Sequence, residues 1–123
     1  MSDAVAEQLA QAEQALEDAR GALAADLSDA VVVNRCYYAC FHAAQAVLYD
    51  RDHEPSSHGG VLSLFGSEVA VEGDVSRDRG RFLNDLSALR KQADYGYEPL
   101  DEDVNSLVDR TASFVDTMER LVE

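Results

Sequence analysis

The side chains able to act on an anionic group are few and unevenly placed. The chain has 24 acidic residues against ten basic ones, nine arginines and Lys91, and three histidines. Arg77, Arg79, Arg81, Arg90 and Lys91 all fall in the stretch 77–91, opposed only by Asp78 and Asp85, so this stretch is net +3 in a chain of net charge −14. A guanidinium fork grips two oxygens of a phosphate at once, and a local surplus of such groups makes Arg77, Arg79, Arg81 and Lys91 candidates for nucleic-acid contacts. Alternate positions at a helix start point in different directions, so the first three cannot all serve one ligand. Their other role is to neutralise an acidic helix or partner nearby.

Three further groups carry possible chemistry. Arg35 and His42 are seven residues apart, which on a helix places them on one face but separates them by about 10 Å of rise. They could flank a phosphate; equally, Arg35 could pair with an acidic neighbour and His42 could fill the core with a hydrogen bond. His58, beside Gly59 and Gly60, could anchor a helix start or contact a ligand, since polar loop residues often carry function. Arg90 and Asp94 are one turn apart and could form an ordinary surface pair. Cys36 and Cys40 share a helix face, where regular geometry disfavours a disulfide. Two thiols without a Cys-His pair nearby are a poor zinc signal, and no metal or other cofactor is expected.

These side chains need rigid elements to position them. The stretch 34–49 (NRCYYACFHAAQAVLY) is apolar or aromatic on nearly all sides, the mark of a buried helix. With Val31, Val32 and Val33 ahead of it, it spans about five turns, too short and too polar at its ends to cross a membrane. A first helix over 2–25 is capped by Ser2 and carries a seam of Val5, Leu9, Ala12, Leu16, Ala19 and Leu23. Its small alanines suit close antiparallel packing on the central helix. Ser28 starts the central helix, and the polar loop 50–57 with Pro55 ends it. Ser56 or Ser57 caps a short third helix that Gly73 and Asp74 close. Ser76 caps a fourth, to about Ala93, with Phe82, Leu83, Leu86, Leu89 and Ala93 inward. Asp101 is expected to cap a fifth, with Leu107, Val108, Thr111, Phe114, Val115 and Met118 inward. No strand-like alternation and no internal repeat occur. The expectation is an all-α, up-and-down helical bundle of four main helices plus one short helix, a single domain over 1–123.

Three blocks, NRCYYACFHAA at 34–44, SHGGVLSLFG at 57–66 and LRKQADY at 89–95, resemble HEPN-domain proteins, in particular the small single-domain prokaryotic branch. The resemblance spans most of the chain in the right order. It implies a helical bundle, a homodimer, and in many cases the toxin half of a pair whose antitoxin is a minimal nucleotidyltransferase. Active members are metal-independent endoribonucleases whose signature is an Arg, four to six residues, then a His. In some paired toxins a Tyr two positions after that His receives adenylate. On this chain Arg90 takes the Arg position, Tyr95 stands where the His would be, and Tyr97 where the modified Tyr would be.

Cleaving RNA without a metal needs a base for the 2′-hydroxyl proton and a cation for the phosphorane. An imidazole with pKa about 6.5 suits the first role better than a phenol at about 10; Arg90 suits the second. Tyr95 could instead orient a phosphate, stack on a base or sit in a dimer seam, and Asp94 would pair with an Arg. The first reading is therefore an RNA- or nucleotide-binding HEPN homodimer, partnered by a nucleotidyltransferase, with nuclease activity weak or absent. An active endoribonuclease using Arg90 with Tyr95, His42 or His58 is the alternative, and a structural dimer or scaffold the third. Tyr37, Tyr38, Phe41 and Tyr49 are expected in the core or a dimer interface, not in an exposed base-stacking platform. A chain this size needs no staples, and its free thiols and lack of a targeting segment lead to an expected reducing cytoplasm without membrane association.

A net charge of −14 repels nucleic acid at long range and strains the compact state, and we read it as adaptation to high salt, where screening shortens the reach of the charges to a few ångströms. The melting temperature should then rise as salt goes from dilute to molar. A fall over that range would contradict the reading.

Overall fold

A computed structural model describes residues 1–70, 73, 75–95, 100 and 102–122. The described residues form five α-helices, α1 (Asp3–Ala24), α2 (Asp29–Asp50), α3 (His58–Phe65), α4 (Arg77–Tyr95) and α5 (Val104–Leu121), with a π-helical turn, Gly66–Ala70, continuing α3. Among them there is no strand, and the expected all-α bundle of four long helices and one short one is what forms.

The centre is α2. Val33, Cys36, Tyr37, Ala39, Cys40, Ala43, Ala44, Val47 and Leu48 are all at 0% exposure. With Val32, Phe41 and Ala46 they cover rather more than half of the helix circumference. The remaining face, with Asn34, Arg35, Tyr38, His42, Gln45 and Tyr49, is half-exposed, so the burial on all sides that the sequence led us to expect is not complete. Burying each large side chain contributes about 1.5–3 kcal/mol, so α2 is held by partners on several sides: α1, α3, α4 and α5 all pack on it. The pairing with α1 is the most extensive. Val5, Ala12, Leu16 and Ala19 of the expected seam are buried, joined by Ala15 and Ala22, while Leu9 and Leu23 lie partly buried at its edge. The alanines let the two backbones approach closely.

The ends follow the chain's polar signals. Ser2 and Ser28 accept hydrogen bonds from the Val5 and Val31 amides, capping α1 and α2. Asp26, at φ 60, makes the tight turn between them, a conformation that a short polar side chain tolerates. Ser57 is the cap of α3, accepting from the Gly60 amide, and Ser76 accepts from the Arg79 amide at the start of α4. One cap is corrected: α5 is capped by Asp103, whose carboxylate accepts from the Asn105 amide at 3.0 Å. Asp103 lies immediately ahead of the first α5 residue, whereas Asp101, like Asp74, lies outside the described residues. The π-helical turn after α3 was not expected either. It buries Val69, and its Glu68 carbonyl accepts from Arg51 Nη1 at 3.2 Å, tying the end of α2 to it.

Two helical glycines separate the local from the tertiary contribution. A Cβ at Gly21 would meet nothing within 4 Å, but one at Gly80 would lie 2.8 Å from the Ala70 Cβ in the π-helical turn. Glycine in a helix costs about 0.5–1 kcal/mol relative to alanine, while overpacking costs about 1–3 kcal/mol. In urea unfolding, Gly21→Ala should therefore stabilise the protein by about 0.5–1 kcal/mol, and Gly80→Ala should destabilise it despite its better helix propensity. Equal stabilisation by both would show that α4 does not press on Ala70.

Candidate phosphate-binding site

The buried central helix leaves its few polar side chains only the seams between its neighbours. At one seam the three sequence blocks meet. Arg90 of α4 lays its guanidinium 4.9 Å from the Tyr37 ring centroid and 5.8 Å from that of Tyr38. Its only ion pair among the described residues is with Asp94, at 3.5 Å. Its Nε is buried with no hydrogen-bond partner among the described residues, and an unmet donor of this kind costs about 1–3 kcal/mol. The two aromatic rings offset part of that cost, since cation–π contacts contribute about 0.5–2 kcal/mol.

Tyr38 is also approached by Arg35, whose guanidinium carbon is 5.3 Å from the ring centroid. The Arg35 fork donates through Nε and Nη2 to Asn34 Oδ1 at 3.0 and 2.7 Å, a neutral anchor. Asp18 lies 4.0 Å away, at the limit of an ion pair. Two guanidinium groups thus converge on one phenol ring, each with one carboxylate at the long end of ion-pair range. Like charges gathered in one place are costly unless an anion is shared between them.

Both candidate histidines belong to the same group. Tyr37 Oη lies 3.0 Å from His58 Nδ1, and the His58 ring stacks on Phe41 at 4.3 Å. Burial pushes the Tyr37 phenol above its ordinary pKa, although the Arg90 charge opposes the shift. The phenol therefore keeps its proton, and its bond to His58 Nδ1 runs in either direction according to the imidazole tautomer. On the other side of Phe41, His42 Nδ1 lies 2.7 Å from the Gln8 carbonyl oxygen, which can only accept, so in neutral His42 the proton sits on Nδ1 and Nε2 keeps a free lone pair. Burial, then the charges of Arg35 and His58, lower the His42 pKa. Arg35, Tyr38 and His42 also line a cleft of about 210 Å³ between α1 and α2.

The described chemistry gives no support to a thiol site. Burial raises the pKa of Cys36 and raises that of Cys40 still further. Both are free, buried thiols beside the Thr111 hydroxyl. Among the described residues no group of three or more His, Cys, Asp or Glu could hold a metal ion, and no helix is long and apolar enough to cross a membrane.

The model of the HEPN domain family matches residues 5–121. The chain belongs to the HEPN domain family. It is 37% identical over 93 residues to a Thermotoga maritima protein named UPF0332, covering 74% of this chain and 70% of that one. It is 41% identical over 85 residues to a UPF0332 protein of Gloeobacter violaceus, covering 69% and 67%. A Methanocaldococcus jannaschii protein named as a candidate toxin is 34% identical over 92 residues, covering 74% and 69%.

Within this HEPN domain the positions singled out in sequence fall into three sets. Arg90, Arg35, His42 and His58 come together around Tyr37 and Tyr38, with Asp94 beside Arg90. Tyr95 does not join them: it is 82% exposed and makes no hydrogen bond, ion pair or ring contact among the described residues. Arg77, Arg81 and Lys91 are likewise exposed on α4, and Arg79 turns toward α5, donating to Ser113 Oγ at 3.1 Å. Tyr97 lies outside the described residues. Sequence reasoning missed Gln8 and the half-buried place of Tyr38. The glutamines at 8, 11 and 14, three apart along the edge of the α1 seam, were the available signal.

The lowered His42 pKa has a testable consequence. An unfolded His takes up its proton near about pH 6.5, before folded His42 does. The stability that neutral His42 contributes is therefore present above about pH 6.5 and lost as pH falls from there through the folded value. His42→Gln should flatten this loss, so that wild type and variant converge in melting temperature from neutral to mildly acid pH. Parallel profiles for the two would show that His42 is not held neutral.

Proposed function

We propose that this HEPN domain is a toxin-like protein that binds RNA, or a nucleotide, through phosphate at the seam of α2 and α4. The observation that carries the reading is the convergence of Arg35 and Arg90 on Tyr38. Arg35 is anchored by an amide and Arg90 by aromatic faces, and their carboxylate neighbours Asp18 and Asp94 stand at 4.0 and 3.5 Å, so both keep donors for an incoming phosphate. A phosphate between them relieves their mutual repulsion and accepts charge-assisted hydrogen bonds, each stronger than a neutral one. Tyr38, half-buried and approached by both guanidiniums, supplies an edge on which a base can rest. Exposed Arg77, Arg81 and Lys91 extend positive charge along α4. The similarity to relatives named as candidate toxins supports the toxin-like role. A homodimer and a nucleotidyltransferase antitoxin that adenylates Tyr97 complete the proposal.

In this reading cleavage is weak or absent, because Tyr95 replaces the expected imidazole and points to solvent. A second reading is favoured by His58 and His42, which flank Phe41 next to Arg90. His42 has a free Nε2 to take the 2′-hydroxyl proton, protonated His58 can donate to the leaving oxygen, and Arg90 supplies the charge for the phosphorane.

Labelled single-stranded RNA in EDTA separates the two. We expect binding by the wild type, a roughly 10–100-fold loss in Arg90→Ala, the range for a hydrogen bond to a charged group, and no cleavage by either. Cleavage by the wild type that disappears in Arg90→Ala and His58→Ala would establish the nuclease instead. Unchanged binding in Arg90→Ala would remove the site altogether. Co-expression with the neighbouring gene should add one adenylate to Tyr97, seen by mass spectrometry; an unmodified tyrosine there ends the antitoxin part of the proposal.

A further inference from the structure

A second group of guanidiniums lies away from the Tyr38 seam. Helices α4 and α5 both pack on α2 far more than on each other, and between them runs a cleft of about 240 Å³ lined by Arg79, Phe82, Arg110 and Ser113, with Asp78 at its edge. Arg79 Nη2 donates to Ser113 Oγ at 3.1 Å. Arg110 sits over the Phe82 ring, its guanidinium carbon 4.3 Å from the centroid.

Both anchors are neutral. Elsewhere on the surface of this acidic chain, arginines find carboxylates: Arg20 with Glu17 and Arg120 with Asp116, each at 2.8 Å. Arg79 and Arg110 have no carboxylate within ion-pair distance among the described residues, and Asp78, although it lines the cleft, pairs with neither. A hydroxyl and an aromatic face hold two forks in place without cancelling their charge. Such a fork keeps most of its five donors for a ligand and loses little side-chain entropy on binding one.

We propose that the cleft between α4 and α5 is a phosphate-binding subsite in which Arg79 and Arg110 grip one phosphate group from two sides, with Ser113 as a third donor. The phosphate could belong to a free ion or mononucleotide, or to the backbone of an RNA strand. The second source rests on the RNA binding proposed above. Arg79 and Arg90 are eleven residues apart on α4, close to three turns and about 16 Å of rise, so a strand lying along α4 meets both.

The test uses the full chain as wild type, Arg79→Gln, Arg110→Gln and, as control, Arg120→Gln outside the cleft. Inorganic phosphate and AMP are titrated against each while backbone amide signals are followed by NMR. Labelled single-stranded RNA is titrated over a range of salt. If the ligand is free phosphate or a mononucleotide, shifts at Arg79, Arg110 and Ser113 saturate in the wild type and are lost in both cleft variants. If it is RNA backbone, each cleft variant lowers the slope of log affinity against log salt by about 0.7, with the control unchanged. Arg110→Lys, which keeps the charge and the cover over Phe82, replaces Arg110→Gln should the latter lose helicity; it should bind more weakly than wild type because the fork is gone. Indifference of both ligands to every cleft variant overturns the subsite. RNA that fails to bind even the wild type defeats the proposed function, while the phosphate titration still decides the cleft.

Discussion

Everything in this molecule is conditioned by the burial of α2 over rather more than half of its circumference. A helix with free solvent on one face can put its polar residues there without consequence. This one has no fully open face: the side that carries Arg35, Tyr38 and His42 is only half-exposed, partly covered by its neighbours. The gap between α1 and α4 is where they emerge, and Arg90 arrives there from the opposite wall. The chemistry of the seam is thus a by-product of core packing. The helices that bury Val33, Val47 and Leu48 also decide how far apart the two guanidiniums stand.

The aromatic residues translate that packing into charge placement. Tyr37 and Tyr38 are adjacent in sequence and so differ by about a quarter turn on the helix. One is buried completely and the other half-buried, and Arg90 touches both. An arginine in an apolar seam would ordinarily demand a carboxylate, and a carboxylate would cancel its charge. Aromatic faces solve the problem differently, accepting the cation electrostatically while leaving its donors unspent. The same device appears where Arg110 covers Phe82. In a chain with more than two acidic residues for each basic one, Arg110 held by a ring and Arg90 held by two rings as well as by Asp94 represent a departure from the surrounding surface.

Most of the bundle was legible in the sequence because it is written locally. The Ser caps, the alternating three- and four-residue steps of α1 and the all-round apolar run of α2 need only their own segments to be read. The cap at Asp103 was missed because Asp101 and Asp103 offer the same side chain two residues apart, and helix starts are fixed only to within such a margin. The π-helical turn was missed because its advantage is tertiary, fitting Ala70 against Gly80. The candidate site was half legible. Each of Arg35, His42, His58 and Arg90 stood out by type, yet their meeting depends on how three helices cross. Spacing along the chain put Arg35 and His42 where they could flank a phosphate without touching each other, and it is Tyr38 and Gln8, from between and beside them, that join them into one surface. Tyr95 shows the reverse: a position assigned by motif alignment whose side chain stands in solvent.

The tyrosines of the seam carry one more implication. The chain has no tryptophan and five tyrosines, so its ultraviolet emission comes from phenols alone. Two of the five lie directly against the Arg90 guanidinium, one of them bonded to an imidazole. Whatever lodges beside that guanidinium alters the quenching of these two rings, and no brighter chromophore masks the change. The protein thereby carries an intrinsic optical gauge of occupancy, readable on the unlabelled molecule.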